Sequence, residues 1–345
     1  MFDEGQVGRL GADNPSVRLK RFALGGVLLA IVGMAVVFGW YDAWDNSSDV
    51  WLFSQAGSTL LSGNWIHAFH HPEVQAGPLE LALVGLAKKI GGSETGFAIT
   101  LDVVCTAAVA AMAASFLRKP GALAFFGVGA FLLVLPGEGY LGHPAELLIP
   151  VLWLFAAREA RRGNTTLAGA LIGVSACFEL FGILGVTVLA LTPKLRRCGP
   201  GLALAGGIPI VVFLPFLLGG DFHMFQYHWI ILRGPARLLF GFGHPFIWPL
   251  RLVQGAIVVA AGTWAARGLR RSPESVWIVP AVTVLVRIAL DPITAAYYWD
   301  TPLVILLLGT TLVLQQRDQL AGRIAARFPS LAARSARSDA GSQKA

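Results

Sequence analysis

The placement of basic residues between apolar runs constrains this chain more than any other feature. Lys and Arg gather in Arg18/Lys20/Arg21, Arg118/Lys119, Arg158/Arg161/Arg162, Lys194/Arg196/Arg197, Arg267/Arg270/Arg271 and a tail from Arg317 to Lys344. The apolar segments between them thread through a membrane so that nearly every cluster falls on one side. All seven histidines, His67, His70, His71, His143, His223, His228 and His244, then fall on the other. Short loops rich in Lys and Arg stay cytoplasmic. The pattern therefore orients the chain with both termini inside and the histidines outside. The sequence is 55% hydrophobic and 14% charged, against about 25% charged in soluble domains. Its net charge of +7 sits at the ends of apolar runs, where it meets anionic headgroups and is no footprint of nucleic acid.

Threading gives an all-α, polytopic protein of the plasma (inner) membrane, since many runs approach the ~20 apolar residues a span needs. Spans are expected at about 22–40, 95–117, 120–136, 142–160, 165–179, 181–193, 199–219, 247–267, 275–290 and 299–315, about ten in all. Residues 1–17 are polar with Gly and Pro and read as a disordered cytoplasmic N-terminus. Residues 18–315 form the membrane domain, with outer loops at 41–94 and 220–246, and 316–345 form a basic cytoplasmic tail. The run Pro78–Ile90 is short for a span. Read as a juxtamembrane helix lying on the outer surface, it misplaces only Lys88 and Lys89; read as a span, it inverts every later basic cluster. Gly39-Trp40-Tyr41-Asp42 after the first run is no small-residue cleavage site, so that run reads as a retained anchor. Cys105 and Cys177 lie in apolar runs as small hydrophobes, and no CxxC pair is present.

Chemistry concentrates around the first outer loop. Asn46-Ser47-Ser48-Asp49 marks a helix N-terminus, where Ser and Asp satisfy unpaired backbone N–H groups. A carboxylate there, just outside the bilayer, is also suited to take a proton from an acceptor hydroxyl. Asp42 and Asp45 are neighbouring carboxylates, read as solvated loop charges or, for Asp45, as part of the substrate cavity.

Asp49, then Phe53, then Leu60-Leu61-Ser62-Gly63-Asn64-Trp65, then Gly77-Pro78-Leu79 resembles the first outer loop of the GT-C superfamily. These are multi-spanning glycosyltransferases that use polyprenyl-phosphate sugars. Gly142-His143-Pro144, Ala168 to Val174, and Tyr297-Tyr298-Trp299-Asp300-Thr301-Pro302-Leu303 look like its polyprenol-phosphate-mannose-dependent branch. The resemblance covers the span layout of about 20–315 on short motifs. Phe53 stands where a tyrosine is common, and Glu179 where that branch usually has a lysine. The resemblance implies a GT-C-like fold with Asp49 at the catalytic position. It also implies a polyprenyl-phosphate donor of mannose or a similar sugar, and a cell-envelope glycan or glycolipid acceptor.

A lipid-phosphate donor calls for arginine, whose fork matches phosphate oxygens. The outer-side candidates are Arg233, Arg237, Arg251 and Arg287. Arg287 lies inside an apolar run, one turn before Asp291, so it reads either as an i,i+4 ion pair or as a phosphate ligand. His143 and Glu146, beside Glu138 at the outer end of a span, suit the lining of a sugar cavity, as do His70, His71, Glu179 and Tyr298. His67, His70 and His71 have i, i+3, i+4 spacing, which on a helix would put imidazoles on one face for a metal or for polar substrate contacts. The sequence fixes no metal ligand set, although a divalent ion, Mg²⁺ or Mn²⁺, is compatible with a phosphate-bearing donor. Trp44, Trp51, Trp65, Trp229, Trp248 and Trp299 cluster at outer ends as interfacial anchors. The alternative to transfer is a non-catalytic transporter, flippase or envelope-assembly factor.

Overall fold

A computed structural model describes residues 48–133, 143–293 and 296–327. The expected first span, Asp42, Trp44, Asp45, Glu138 and the last residues of the tail lie outside the described residues. The protein is mostly helical, at 79%. In chain order come α1 (Ser48–Leu60), α2 (Pro78–Gly91), α3 (Glu94–Phe116), α4 (Pro120–Leu133), α5 (Ala145–Arg162) and α6 (Thr165–Phe178). A 3-10 segment (Leu180–Leu191), α7 (Cys198–Gly219) and a two-residue strand β1 (Trp229–Ile230) follow. The chain continues with α8 (Gly234–Phe240), β2 (Pro245–Phe246), α9 (Trp248–Leu269), α10 (Ser275–Leu290) and α11 (Asp300–Arg327). β1 and β2 pair antiparallel, closing a small hairpin around α8.

Four described stretches are long and apolar enough to cross a membrane: Glu94–Phe116, Leu195–Gly219, Trp248–Leu269 and Tyr297–Gln316. Pro120–Phe131, Thr165–Phe178, Leu180–Leu191 and Ser275–Leu290 are apolar but shorter. The chain is thus a helical, membrane-embedded protein, and among the described residues four of the expected spans meet the length and apolarity that a full crossing needs.

Local chemistry sets the helix ends. The Ser93 hydroxyl accepts from the Gly96 amide at 3.1 Å, capping α3. The Asn164 side chain does the same for α6 through the Leu167 amide at 3.3 Å. Gly92 (φ 66°) and Gly163 (φ 86°) end α2 and α5 in the left-handed region that favours glycine.

The segments bearing the basic clusters meet one another at one end of the bundle. The Arg118 and Lys119 amides donate to Gln315 Oε1, and Arg161 donates to the Pro273 carbonyl at 2.8 Å. Thr165 donates to the Arg197 carbonyl at 2.7 Å, and Arg270 to the Ala190 carbonyl at 3.1 Å. Among the described histidines, His143 meets Asp49 in the first turn of α1, while His67, His70 and His223 engage Asp221 and one another in the loops after α1 and α7.

The stretch expected as a helical span at 181–193 forms the 3-10 segment. Its Gly182 carbonyl accepts from the Trp153 indole at 2.9 Å and from the Ser175 hydroxyl at 3.0 Å. The tighter helix also rises faster. Its 12 residues reach roughly 24 Å, against roughly 21 Å for the 14 residues of α6. The two therefore form a hairpin with arms of matching length, its tip at Glu179.

α1 and α2 cross in close contact because Gly57 faces Gly85. A Cβ at either glycine would run into the other's backbone. Gly85→Leu is expected to destabilise the protein by about 1–3 kcal/mol through overpacking. A melting curve of the detergent-solubilised protein checks this, and an unchanged midpoint would mean that the helices slide apart without cost.

Candidate functional site

The helix ends opposite the basic loops gather most of the residues singled out from the sequence. Asp49 lies in the first turn of α1, as the Ser-Ser-Asp sequence predicts. Its Oδ2 is 3.3 Å from His143 Nε2, just ahead of α5. His143 is buried, stacked on Tyr297 (4.0 Å between centroids, 12° between planes) and packed edge-on against Phe53 at 5.0 Å. The Asp49 side chain stays 47% exposed. The imidazole is therefore fixed by two aromatic rings and orients a carboxylate that remains open to an approaching molecule.

Beneath this pair lies a buried charge cluster. Arg287 Nη1 is 3.4 Å from Glu146 Oε1, and both side chains are buried. The guanidinium is stacked against Phe181, 3.6 Å from its centroid, and Tyr298, at 4.8 Å. Thr301 donates to both the carboxylate and the carbonyl of Glu146. The i,i+4 pair with Asp291 does not form. Asp291 follows the end of α10 with extended backbone (φ −70°, ψ 132°), which takes it off the helical face of Arg287. It pairs with Arg251 at 2.8 Å instead. Arg251 also bonds Gln254 at 2.9 Å and lies over Trp229, 4.1 Å from its centroid.

Glu179, at the hairpin tip, has extended backbone and bridges to Ala76, while the Gly77 amide donates to the Phe178 carbonyl. The long loop after α1 is thereby pinned onto the hairpin. A residue the sequence reading passed over, Glu80 of α2, is completely buried beside Glu146 and Glu179. No described side chain bonds its carboxylate, and the Ala145 backbone amide is the donor that faces it. Its signal was present as the single acidic residue in the Pro78–Ile90 run. Tyr297, part of the Tyr297–Leu303 motif, holds His143 by stacking on its ring. Tyr227, in the loop before β1, joins the same neighbourhood. Burial first, then the Asp49 and Glu73 carboxylates, hold its phenol above the ordinary tyrosine range.

Arg233 and Arg237 flank and occupy α8 and are exposed. The Arg233 amide donates to the Pro292 carbonyl at 3.1 Å, one residue past Asp291, and the Arg237 guanidinium lies over Phe242 at 5.3 Å. They form a rim next to the Arg251–Asp291 pair, while Arg287 is committed to Glu146.

His70 and His71 stand apart from Asp49. The helical face that their spacing suggests does not form, because only Trp65–His67 is helical there, as one 3-10 turn. His67 and His70 instead converge on Asp221, each with Nδ1 3.4 Å from Oδ2. His67, His70 and His71 border a recess of about 260 Å³ along α1. Among the described residues, no three His, Cys, Asp or Glu side chains are grouped to hold a metal ion. Trp51, Trp65 and Trp299 are exposed, while Trp229 and Trp248 pack together at 5.3 Å.

The chain matches no protein-family model, no curated protein and no solved structure.

Proposed function

We propose that the protein is a GT-C-like integral-membrane glycosyltransferase of about ten spans. It moves a sugar, mannose or a similar hexose, from a polyprenyl-phosphate donor to a glycan or glycolipid acceptor on the outer face of the plasma membrane. The observation that carries the reading is Asp49: a half-exposed carboxylate held by a clamped imidazole at one end of an apolar bundle. Asp49 takes the proton of the acceptor hydroxyl, that oxygen attacks the anomeric carbon, and the lipid phosphate leaves with the bonding electron pair. A phosphate needs little protonation to leave, so one carboxylate serves where glycoside hydrolases use two. Arg233 and Arg237, exposed at the rim, are the residues assigned to the phosphate, through their paired N–H groups. Arg287 and Glu146 stiffen the wall behind Asp49.

The orientation has its own test. In a cysteine-free background, Ser62→Cys is expected to react with an impermeant thiol reagent applied to intact cells, and Ser335→Cys only after the membrane is opened. Labelling of position 335 from outside would put the Asp49 end in the cytoplasm and overturn the outer-face reading. Transfer is tested by supplying polyprenyl-phosphate mannose and a mannose oligosaccharide to the purified protein in vesicles and following sugar into the oligosaccharide.

A further inference from the structure

The recess along α1 is not part of the Asp49 constellation, yet it shares a helix face with it. Asp49, Leu52, Ala56 and Thr59 are spaced i, i+3, i+7, i+10, which aligns them on one side of α1. Leu52 and Ala56 give the recess an apolar floor, and Gln55, Thr59, Asn64, His67 and His70 give it a polar rim. Asp221 sits against the Nδ1 atoms of both His67 and His70. An apolar floor under a rim of amide, hydroxyl and imidazole groups matches a sugar ring, which is apolar on its faces and hydroxylated at its edge.

We propose that this recess is an acceptor subsite that seats one sugar ring of an oligosaccharide; the assignment to the acceptor rests on the glycosyl-transfer reading. Ala56 lies seven residues, roughly 10 Å, along α1 from Asp49. A hydroxyl at Asp49 and a ring seated by Thr59, ten residues or roughly 15 Å along α1, belong to different sugars of one chain. The acceptor is an oligosaccharide or the glycan of a glycolipid, and single sugars are poor acceptors.

The test is direct binding of mannotriose to the full-length protein in nanodiscs, read by magnetisation transfer from protein to sugar protons. Gln55→Leu/Asn64→Ala removes two rim amides of the recess, and its melting curve reports whether the fold persists. Loss of two ligand hydrogen bonds is expected to weaken binding about tenfold. The proposal is overturned if wild type shows no transfer to mannotriose protons, or if the double variant binds as well as wild type. It is also overturned if binding requires added Zn²⁺ and is lost with chelator, which would make the imidazoles metal ligands. Mannotriose held in the recess by a protein that transfers from no lipid-phosphate sugar would retire the transferase and keep the subsite. Active transfer with full acceptor affinity in the double variant would do the reverse.

Discussion

Asp49→Asn is expected to lower glycosyl transfer by about 10²–10⁴-fold, the usual cost of losing a general base, while leaving folding and membrane insertion intact. The amide oxygen can still accept from His143 Nε2, so the clamp formed by His143, Tyr297 and Phe53 persists. Only basicity is lost. Initial rates with a lipid-phosphate sugar, alongside a melting curve for each protein, separate chemistry from stability. Activity within a few-fold of wild type would leave Asp49 as a helix-start residue and nothing more.

Arg287→Ala is expected to act on the fold. Both partners of the Arg287–Glu146 pair are buried, and removing one strands the other charge at a cost of about 3–5 kcal/mol. Membrane yield and melting temperature should both fall. Arg287→Met/Glu146→Gln should recover much of the loss, because no uncompensated charge remains. Arg287→Ala/Asp291→Ala should recover none, since Asp291 belongs to Arg251. A well-inserted, stable Arg287→Ala protein that has lost only donor affinity would return Arg287 to the phosphate and displace Arg233 and Arg237 from that role.

Much of the framework was written locally in the chain. Ser93, Asn164, Gly92 and Gly163 mark helix ends by short-range hydrogen bonds and backbone conformation, so their signals survive without tertiary context. The basic clusters lie at helix ends that contact other segments, as Arg118 with Gln315 and Thr165 with Arg197 show. The site was legible where a residue owes its place to its own helix: Asp49 starts α1, and His143 and Glu146 start α5. What could not be read depended on partners distant in sequence. An apolar run has the same pattern whether it coils as α or 3-10, and the contact of Trp153 with the Gly182 carbonyl of Leu180–Leu191 comes from another helix. Arg287 with Asp291 satisfied the spacing of a helical pair, but the helix stops one residue too soon. Glu80 sits four residues after Ala76 in a run that reads as surface helix. Its burial follows from the docking of the Ala76–Gly77 backbone onto the hairpin tip.

The central claim is that the protein breaks and makes a glycosidic bond and does not merely carry a lipid across the bilayer. The most direct measurement reconstitutes it in vesicles with polyprenyl-phosphate mannose labelled in the sugar, with mannotriose supplied on the side facing Asp49. The label is then followed both chemically and by side of the membrane. The account predicts that label moves covalently into a tetrasaccharide, with release of polyprenyl phosphate, and that Asp49→Asn stops this. Labelled lipid that crosses the bilayer chemically unchanged, at equal rates in wild type and Asp49→Asn, would contradict it and identify a transporter.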